Sequence, residues 1–173
     1  MTPYDMTSAN GVDTATAPPE DTAGPQQRMA WLLKQFASTV PGVTDALLLS
    51  RDGLKLLHSD IPKDWADPLA ATFSGLASLA QNITGPTEKK MAPQQIMIER
   101  EDALFFIQSA GTSAAFEDHP GNTRGMVDTV LGVITRVDAE VGTVGYEMGR
   151  LVDQFAPYMV TPVRNDAMPS DDA

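Results

Sequence analysis

The amino-acid sequence predicts an α/β domain of two or three layers with an antiparallel sheet. Three observations lead to this fold class. Apolar residues recur at helical spacing in three stretches, short apolar runs typical of strands lie between these stretches, and an Asp-Gly dipeptide joins the first two runs. The predicted order is helix, two strands, helix, three strands, helix, which is typical of an antiparallel sheet covered by helices.

The first helix is predicted over residues 26–39. Apolar residues recur every three or four positions from Met29 to Val40, with Pro25 just before the stretch and Pro41 just after it. Proline is favoured at the start of a helix and prevents its continuation, so both ends carry a signal.

A hairpin is predicted after this helix. Residues 45–49 are apolar on both faces, as in a central strand, and residues 54–59 form its partner. Between them lies Asp52-Gly53, the dipeptide that tight hairpin turns favour because it tolerates positive φ.

The second helix is predicted to open at Pro62, with Asp64 as its N-cap, and to end at Gly85-Pro86. One face carries larger apolar residues at helical spacing: Trp65, Leu69, Phe73, Leu76, Ala80 and Ile83. The other face carries small residues: Ala70, Ala71, Ser74, Gly75, Ala77 and Ser78. A helix with these two faces can pack closely against two neighbours at once.

Three more strands are predicted next. Ile96 and Ile98 alternate with Met97, which indicates a half-exposed strand over residues 95–100. A buried strand follows over residues 103–110. A long polar loop is then expected over 111–125 and a strand packed on both faces over 126–137.

The last helix has an apolar stripe made of Val141, Val144, Met148, Leu151 and Phe155. Gly142, Gly145 and Gly149 run beside this stripe. Each glycine costs about 1 kcal/mol of helix stability relative to alanine, so we expect the sheet to pack very closely against them.

Composition excludes several classes of function. Lys plus Arg is 12 and Asp plus Glu is 23, so the net charge is −11. Such acidity opposes nucleic-acid and anionic-membrane binding, which depend on Lys and Arg. The chain has no cysteine, which excludes disulfides and thiolate sites. No apolar run approaches the roughly 20 residues of a membrane helix, and we expect a soluble cytoplasmic protein.

One domain is predicted, over residues 26–159. Residues 1–25 are rich in Thr, Ala, Pro and Asp and hold no Lys or Arg, and residues 160–173 are similarly polar. Such segments bury too little apolar surface to offset their ordering entropy, so we expect a disordered acidic N-terminal tail and a disordered C-terminal tail.

Enzyme motifs are absent: the sequence has no nucleophile elbow, P-loop, dinucleotide fingerprint or zinc-protease motif. Two histidines exist, His58 and His119. His58 fits a partly buried structural role, and Glu117-Asp118-His119 fits a solvated loop tip better than a metal site. We therefore expect no catalytic residues, no cofactor and no metal.

What remains is a surface for a partner. The second helix and the strand over 95–100 flank an exposed loop, and an open strand edge beside an apolar helix can pair with another chain. The alternative is that the helix only covers its own sheet.

The chain resembles the roadblock/dynein light chain family over roughly residues 26–159. It is most similar to members encoded beside small Ras-like GTPases in the multi-gene modules (conservons) of actinobacteria. The matching stretches are WLLKQFASTVPGVTDALLLSRDGLKLLHS, FSGLASLAQNI and VDAEVGTVGYEMGRLV.

The resemblance implies a five-stranded antiparallel sheet with one long helix on one face and two helices on the other. It also implies a homodimer in which the second helices pair and the third strands can join two sheets. The residues implied at the dimer or partner interface are Trp65, Leu69, Phe73, Leu76, Ala80, Ile83, Ile96, Met97 and Ile98.

Family members bind small GTPases as scaffolds or as activators of GTP hydrolysis, so the resemblance implies a small Ras-like GTPase as partner. In prokaryotic relatives the paired helices reposition the GTPase's own catalytic residues, so no arginine finger is assigned to Arg51, Arg100 or Arg124. A sensor kinase complex at the membrane fits the gene modules of such relatives.

Two other functions compete with this one. A small-molecule sensory module would need a ligand-sized apolar pocket, and an enzyme would need chemistry at His119 and Glu117. The 111–125 loop replaces the tight turn of similar proteins, so it either contacts the partner or is inert. For the dimer we expect that changing Phe73 and Leu76 to Asp produces a monomer without GTPase binding.

Overall fold

The structure of the chain is a computed structural model that describes residues 17–122 and 124–159. Its helices and strands follow one another in the predicted order. The elements are α1 (Pro25–Thr39), β1 (Val43–Ser50), β2 (Lys55–His58), α2 (Lys63–Ala80), β3 (Ile96–Glu99), β4 (Leu104–Ser113), β5 (Val127–Thr135) and α3 (Val141–Met159). The tails predicted over 1–25 and 160–173 lie outside the described residues except for 17–25.

The five strands form one antiparallel sheet in the order β2-β1-β5-β4-β3. The long helix α2 packs against one face, and α1 and α3 pack against the other. This arrangement confirms the predicted fold class and leaves β2 and β3 at the two edges.

Each face of the sheet has its own core. The core under α1 and α3 includes Met29, Leu33, Phe36, Leu48, Phe106, Leu131, Met148 and Phe155. The core under α2 includes Leu47, Leu49, Leu69, Phe73, Ile107, Val130 and Ile134. Alternate residues of β1 and β5 contribute to opposite cores, which explains why these central strands are apolar on both faces.

The predicted hairpin is present at Asp52-Gly53. Gly53 has φ +92°, and its N–H donates to the Ser50 carbonyl oxygen at 2.9 Å. The Ser50 N–H donates to the Leu54 carbonyl oxygen at 2.8 Å, which closes the turn. A residue with a Cβ would be strained at this φ.

Both ends of α2 differ from the prediction. The N-cap is Pro62, and Asp64 lies in the first turn. In the first turn, the Asp64 carboxylate interacts favourably with the positive end of the helix dipole, but it does not cap a backbone N–H. The helix ends at Ala80 rather than at Gly85, because the chain turns and then pairs Thr84 with Lys90 in an isolated antiparallel bridge.

The 111–125 loop is shorter than predicted because β4 continues to Ser113. The continuation includes a register shift between Ser109 and Gly111, where Gly111 has φ +84°. Strand β5 ends at Thr135, and Val137 is exposed rather than packed.

Helix α3 buries Val144, Met148, Leu151 and Phe155 as predicted. The close packing expected at its glycines is absent at two of them. A Cβ at Gly149 would meet no atom within 4 Å, and one at Gly142 would meet only the Glu140 side chain. At Gly145 a neighbour does come close, because a Cβ there would lie 3.3 Å from Gln95 Oε1, just before β3. Within the described ranges, no helix is both long and apolar enough to span a membrane.

Candidate functional site

One side of α2 holds the helix to its own sheet. Leu69, Phe73 and Ala77 are all buried there. The Phe73 ring lies so close to Gly132 on β5 that a Cβ at Gly132 would overlap it. The same ring meets the edge of Phe105, with centroids 6.1 Å apart and an interplanar angle of 75°. This geometry is favourable for aromatic pairs and fixes the position of α2.

The opposite side of α2 has no cover within the described chain. Ala71, Thr72, Gly75, Ser78 and Leu79 are exposed along it. A Cβ at Gly75 would meet no atom within 4 Å, and Leu79 is 69 % exposed. Small residues around one large apolar side chain allow another helix to approach closely, so we refer to these five residues as the α2 open face.

The first turn of α2 is polar. Lys63 Nζ donates a hydrogen bond to Asp67 Oδ2 at 2.6 Å, and Lys55 Nζ on β2 lies 3.5 Å from Asp67 Oδ1. The hydrogen bond from Lys63 is the main reason why the pKa of Asp67 is lowered, and the same contact raises the pKa of Lys63. Both groups are therefore charged at neutral pH, and the charged side chains at this end of the helix are exposed to solvent.

Strand β3 is one of the two edges of the sheet. It pairs only with β4, from Ile96 opposite Ile107 to Glu99 opposite Leu104, so its other side is open in the described chain. Ile96 and Ile98 are half-buried and Met97 is 46 % exposed. A short edge with apolar side chains can accept a strand from another chain.

The structure places the predicted interface residues in three environments. Leu69 and Phe73 lie in the core, whereas Leu76, Ala80, Ile96 and Ile98 are half-buried. Trp65, Ile83 and Met97 are exposed by 42 %, 68 % and 46 %. Whether these residues form an interface stays a prediction.

Sequence reasoning missed Leu79. The residue lies at helical spacing from Gly75 and Thr72, but the spacing of the other apolar residues predicts one large-residue face and one small-residue face. A lone leucine among small residues was the available signal.

The 111–125 loop is tied to the body. Phe116 is 5 % exposed and belongs to the core under α1 and α3. The His119 side chain is 8 % exposed, so it does not form the solvated loop tip that the sequence suggested. Its Nδ1 accepts from the Gly121 N–H at 2.9 Å, and its Nε2 lies 4.0 Å from Asp52 Oδ1.

The described residues offer little for catalysis. No group of three or more His, Asp or Glu side chains in residues 17–122 and 124–159 is placed to hold a metal ion. A cleft of about 670 Å³ lies between the start of α1, the loop and the end of α3. Most of its lining residues are solvent-exposed, among them Thr22, Gln26, Glu117 and Asp118. This cleft does not match the enclosed apolar pocket of a sensory module.

The sequence and the fold both match known proteins. The profile of the Roadblock/LC7 domain matches residues 29–116. A Roadblock/LC7 domain structure from Streptomyces avermitilis is 32 % identical, with a TM-score of 0.63 over 76 % of this chain and 98 % of the other. The gliding protein MglB from Thermus thermophilus is 20 % identical, with a TM-score of 0.61 over 79 % and 92 % of the two chains.

A structure described as MglB with a tetrameric arrangement shows the same fold at 19 % identity and a TM-score of 0.62, over 79 % of this chain and 91 % of the other. No curated protein sequence matches the chain. The fold of this chain is therefore shared with a Roadblock/LC7 domain and with the gliding protein MglB.

Proposed function

Because the chain belongs to the Roadblock/LC7 domain family, we propose that it is a homodimeric, non-enzymatic regulator of a small Ras-like GTPase in the cytoplasm. The observation that carries the proposal is the α2 open face, together with the open edge of β3. Neither surface has cover in the described chain. Signalling domains of this kind act by binding, and the absent enzyme motifs agree with that role.

Two copies would pair through the α2 open face. The small side chains at Ala71, Gly75 and Ser78 permit close approach of two helices, and Leu79 supplies apolar area. If the β3 edges also pair, the two sheets become one, and the backbone groups that are open at this edge gain partners. The MglB structure described as tetrameric supports self-association of this fold.

The GTPase would dock on the paired α2 helices and rearrange its own catalytic residues. Arg51 and Arg100 are poor candidates for an arginine finger. Arg100 Nη2 lies 2.8 Å from Asp102 Oδ2, and its guanidinium carbon is 5.7 Å from the centroid of Phe105. Arg51 has a buried Nη1 within the fold. We propose that the regulation is conformational and needs no arginine from this chain, and a sensor kinase as a further partner stays a prediction.

Affinity purification tests the GTPase partner. The tagged protein is incubated with native lysate once with GDP and once with a non-hydrolysable GTP analogue. Enrichment of a small GTPase in one nucleotide state supports a regulator, and equal recovery in both states indicates a scaffold. Recovery of no GTPase in either state contradicts the proposed function.

The dimer is tested with Gly75→Glu. A glutamate fits in the monomer because nothing lies within 4 Å of this position, and a helix interior gains about 1 kcal/mol when glycine is replaced by a good helix former. We expect a folded monomer by light scattering, because two carboxylates would meet at the seam. Gly149→Glu on α3 is the matched control, since it is also a helical glycine without close neighbours. A dimeric Gly75→Glu protein would exclude this seam.

A further inference from the structure

A second surface lies beyond the end of α2, beside the open face. Ile83 is 68 % exposed and Met91 is 71 % exposed. With Leu79 on the open face, they are three of the four large apolar side chains that are exposed by two thirds or more among the described residues, and Tyr146 is the fourth. We refer to Ile83, Lys89, Lys90 and Met91 as the hairpin patch.

Backbone hydrogen bonds hold the hairpin patch in place. The Glu88 N–H donates to Gly85 O at 2.9 Å, and the Gly85 N–H donates to Lys89 O at 3.0 Å. Thr84 pairs with Lys90 in the antiparallel bridge. Antiparallel pairing puts the preceding residue on one chain opposite the following residue on the other, so Ile83 lies across from Met91. The two apolar side chains and the lysines therefore belong to one ordered turn.

The two lysines of the hairpin patch have no carboxylate partner among the described residues. Both are exposed, and neither forms an ion pair with a described residue. Seven other cations in the same ranges do have a carboxylate partner: Arg28, Lys34, Lys55, Lys63, Arg100, Arg136 and Arg150. Glu88 is the only acidic residue between Gln81 and Gln95. On a chain of net charge −11, this turn is a local positive site.

We propose that the hairpin patch docks an acidic segment of the GTPase partner, with apolar side chains of that segment seated on Ile83 and Met91 and its carboxylates opposite Lys89 and Lys90. The inference rests on the proposed function. Two features of the molecule support it: exposed Ile83 follows exposed Leu79 of the α2 open face by four residues, and the charge of the patch is opposite to that of the body.

The acidic body and the positive patch act over different distances. At physiological ionic strength, interactions between exposed charges are screened over about 8 Å. The net charge of the body therefore affects how a partner approaches, whereas in the complex only charges that lie directly opposite one another interact strongly. Carboxylates against Lys89 and Lys90 would set the orientation of the GTPase on the dimer. The apolar pair excludes water beside them and strengthens the contact.

The test uses the purified GTPase recovered by the affinity experiment, loaded with the nucleotide it prefers. Its Kd for the full chain is measured by calorimetry at low and at high salt. Lys89→Glu with Lys90→Glu should weaken binding about tenfold or more at low salt, because two exposed attractive pairs become repulsive. The loss should shrink at high salt, where the repulsion is screened. Ile83→Ser with Met91→Ser should weaken binding at both salt concentrations.

The control is Lys34→Glu with Arg150→Glu, which makes the same change in net charge on α1 and α3. This control should bind with no more than a small loss. Unchanged affinity of the Lys89/Lys90 variant, or an equal loss in the control, overturns the inference while the proposed function stands. Conversion of the Lys89/Lys90 variant to a monomer would assign the patch to a second copy of this chain and also overturn it. A GTPase that does not bind the unaltered chain removes both proposals.

Discussion

At the scale of single residues, Phe73 and Gly132 make the contact that seats α2 on the sheet. Phe73 is 2 % exposed, and the ring occupies the space that a side chain at Gly132 would need. Apolar spacing predicted that Phe73 faces something apolar, and spacing alone could not decide whether that is the sheet or another chain. Phe73 faces the sheet because Gly132 on β5 has no side chain and leaves room for the ring. Gly132 is far from Phe73 in the sequence, so local spacing could not show this contact.

Phe73→Ala should lower the free energy of unfolding by about 3–5 kcal/mol, because the ring leaves a cavity between α2 and β5. Urea denaturation measures this loss. Thr143→Ala, at an exposed position on α3, is the control and should stay within about 0.5 kcal/mol. A loss below about 1 kcal/mol for Phe73→Ala would contradict the packing described here. Changing Phe73 to Asp would disrupt the core, so Gly75 is the better position to test the dimer.

Trp65 and Ile83 show why a regular spacing does not give uniform burial. Both continue the spacing of Leu69 and Phe73, but they lie at the two ends of the stretch. Trp65 is in the first turn of α2, and Ile83 lies beyond the last residue of the helix. Ala66 in the same first turn is fully buried. Trp65 is therefore exposed because of the side of the helix on which it lies, and Ile83 because it lies beyond the helix.

At the scale of elements, the 114–125 connection is anchored rather than free. The backbone pairs as an extension of β4 up to Ser113, and Phe116 then enters the core under α1 and α3. Gln26 on α1 donates to the Ala115 carbonyl oxygen at 2.6 Å. Polar composition predicted a loop here, and it could not show that one aromatic residue within it would be buried.

Phe116→Ala should destabilise the whole domain by about 3 kcal/mol, as a core substitution does. Glu117→Ala removes an exposed side chain from the next position and should have almost no effect. Thermal or urea unfolding of the two variants compares them directly. Equal stability of both would mean that the connection is only loosely attached to the body.

Element ends were predicted well only where a local signal decides them. Asp52-Gly53 specifies its hairpin because the turn needs a positive φ at the glycine. The end of α2 was predicted at Gly85, five residues beyond its observed end at Ala80. The Gly85-Pro86 stop signal lies inside a turn that begins before it and is closed by the pairing of Thr84 with Lys90. Pairing across the chain outweighs a local stop signal.

At the scale of the whole molecule, the fold class followed from the order of elements, and the confirmed family assignment followed from three spaced stretches. The number of strands followed from local patterns, whereas the distribution of the helices over the two faces came from the family resemblance alone, because local patterns do not specify which elements become neighbours. Met91, one of the exposed side chains on which the proposed partner surfaces depend, could be identified only from the folded chain.

The central claim is that a dimer of this chain binds a small GTPase according to its nucleotide. The most direct test is calorimetric titration of the purified GTPase, in its GDP form and with a non-hydrolysable GTP analogue, into the unaltered protein, Gly75→Glu and Gly149→Glu. The account predicts that the unaltered protein and Gly149→Glu bind one nucleotide form more tightly, and that the monomeric Gly75→Glu protein loses most of this affinity. Binding by Gly75→Glu as a monomer at full affinity, or no binding by the unaltered protein in either nucleotide state, would contradict it.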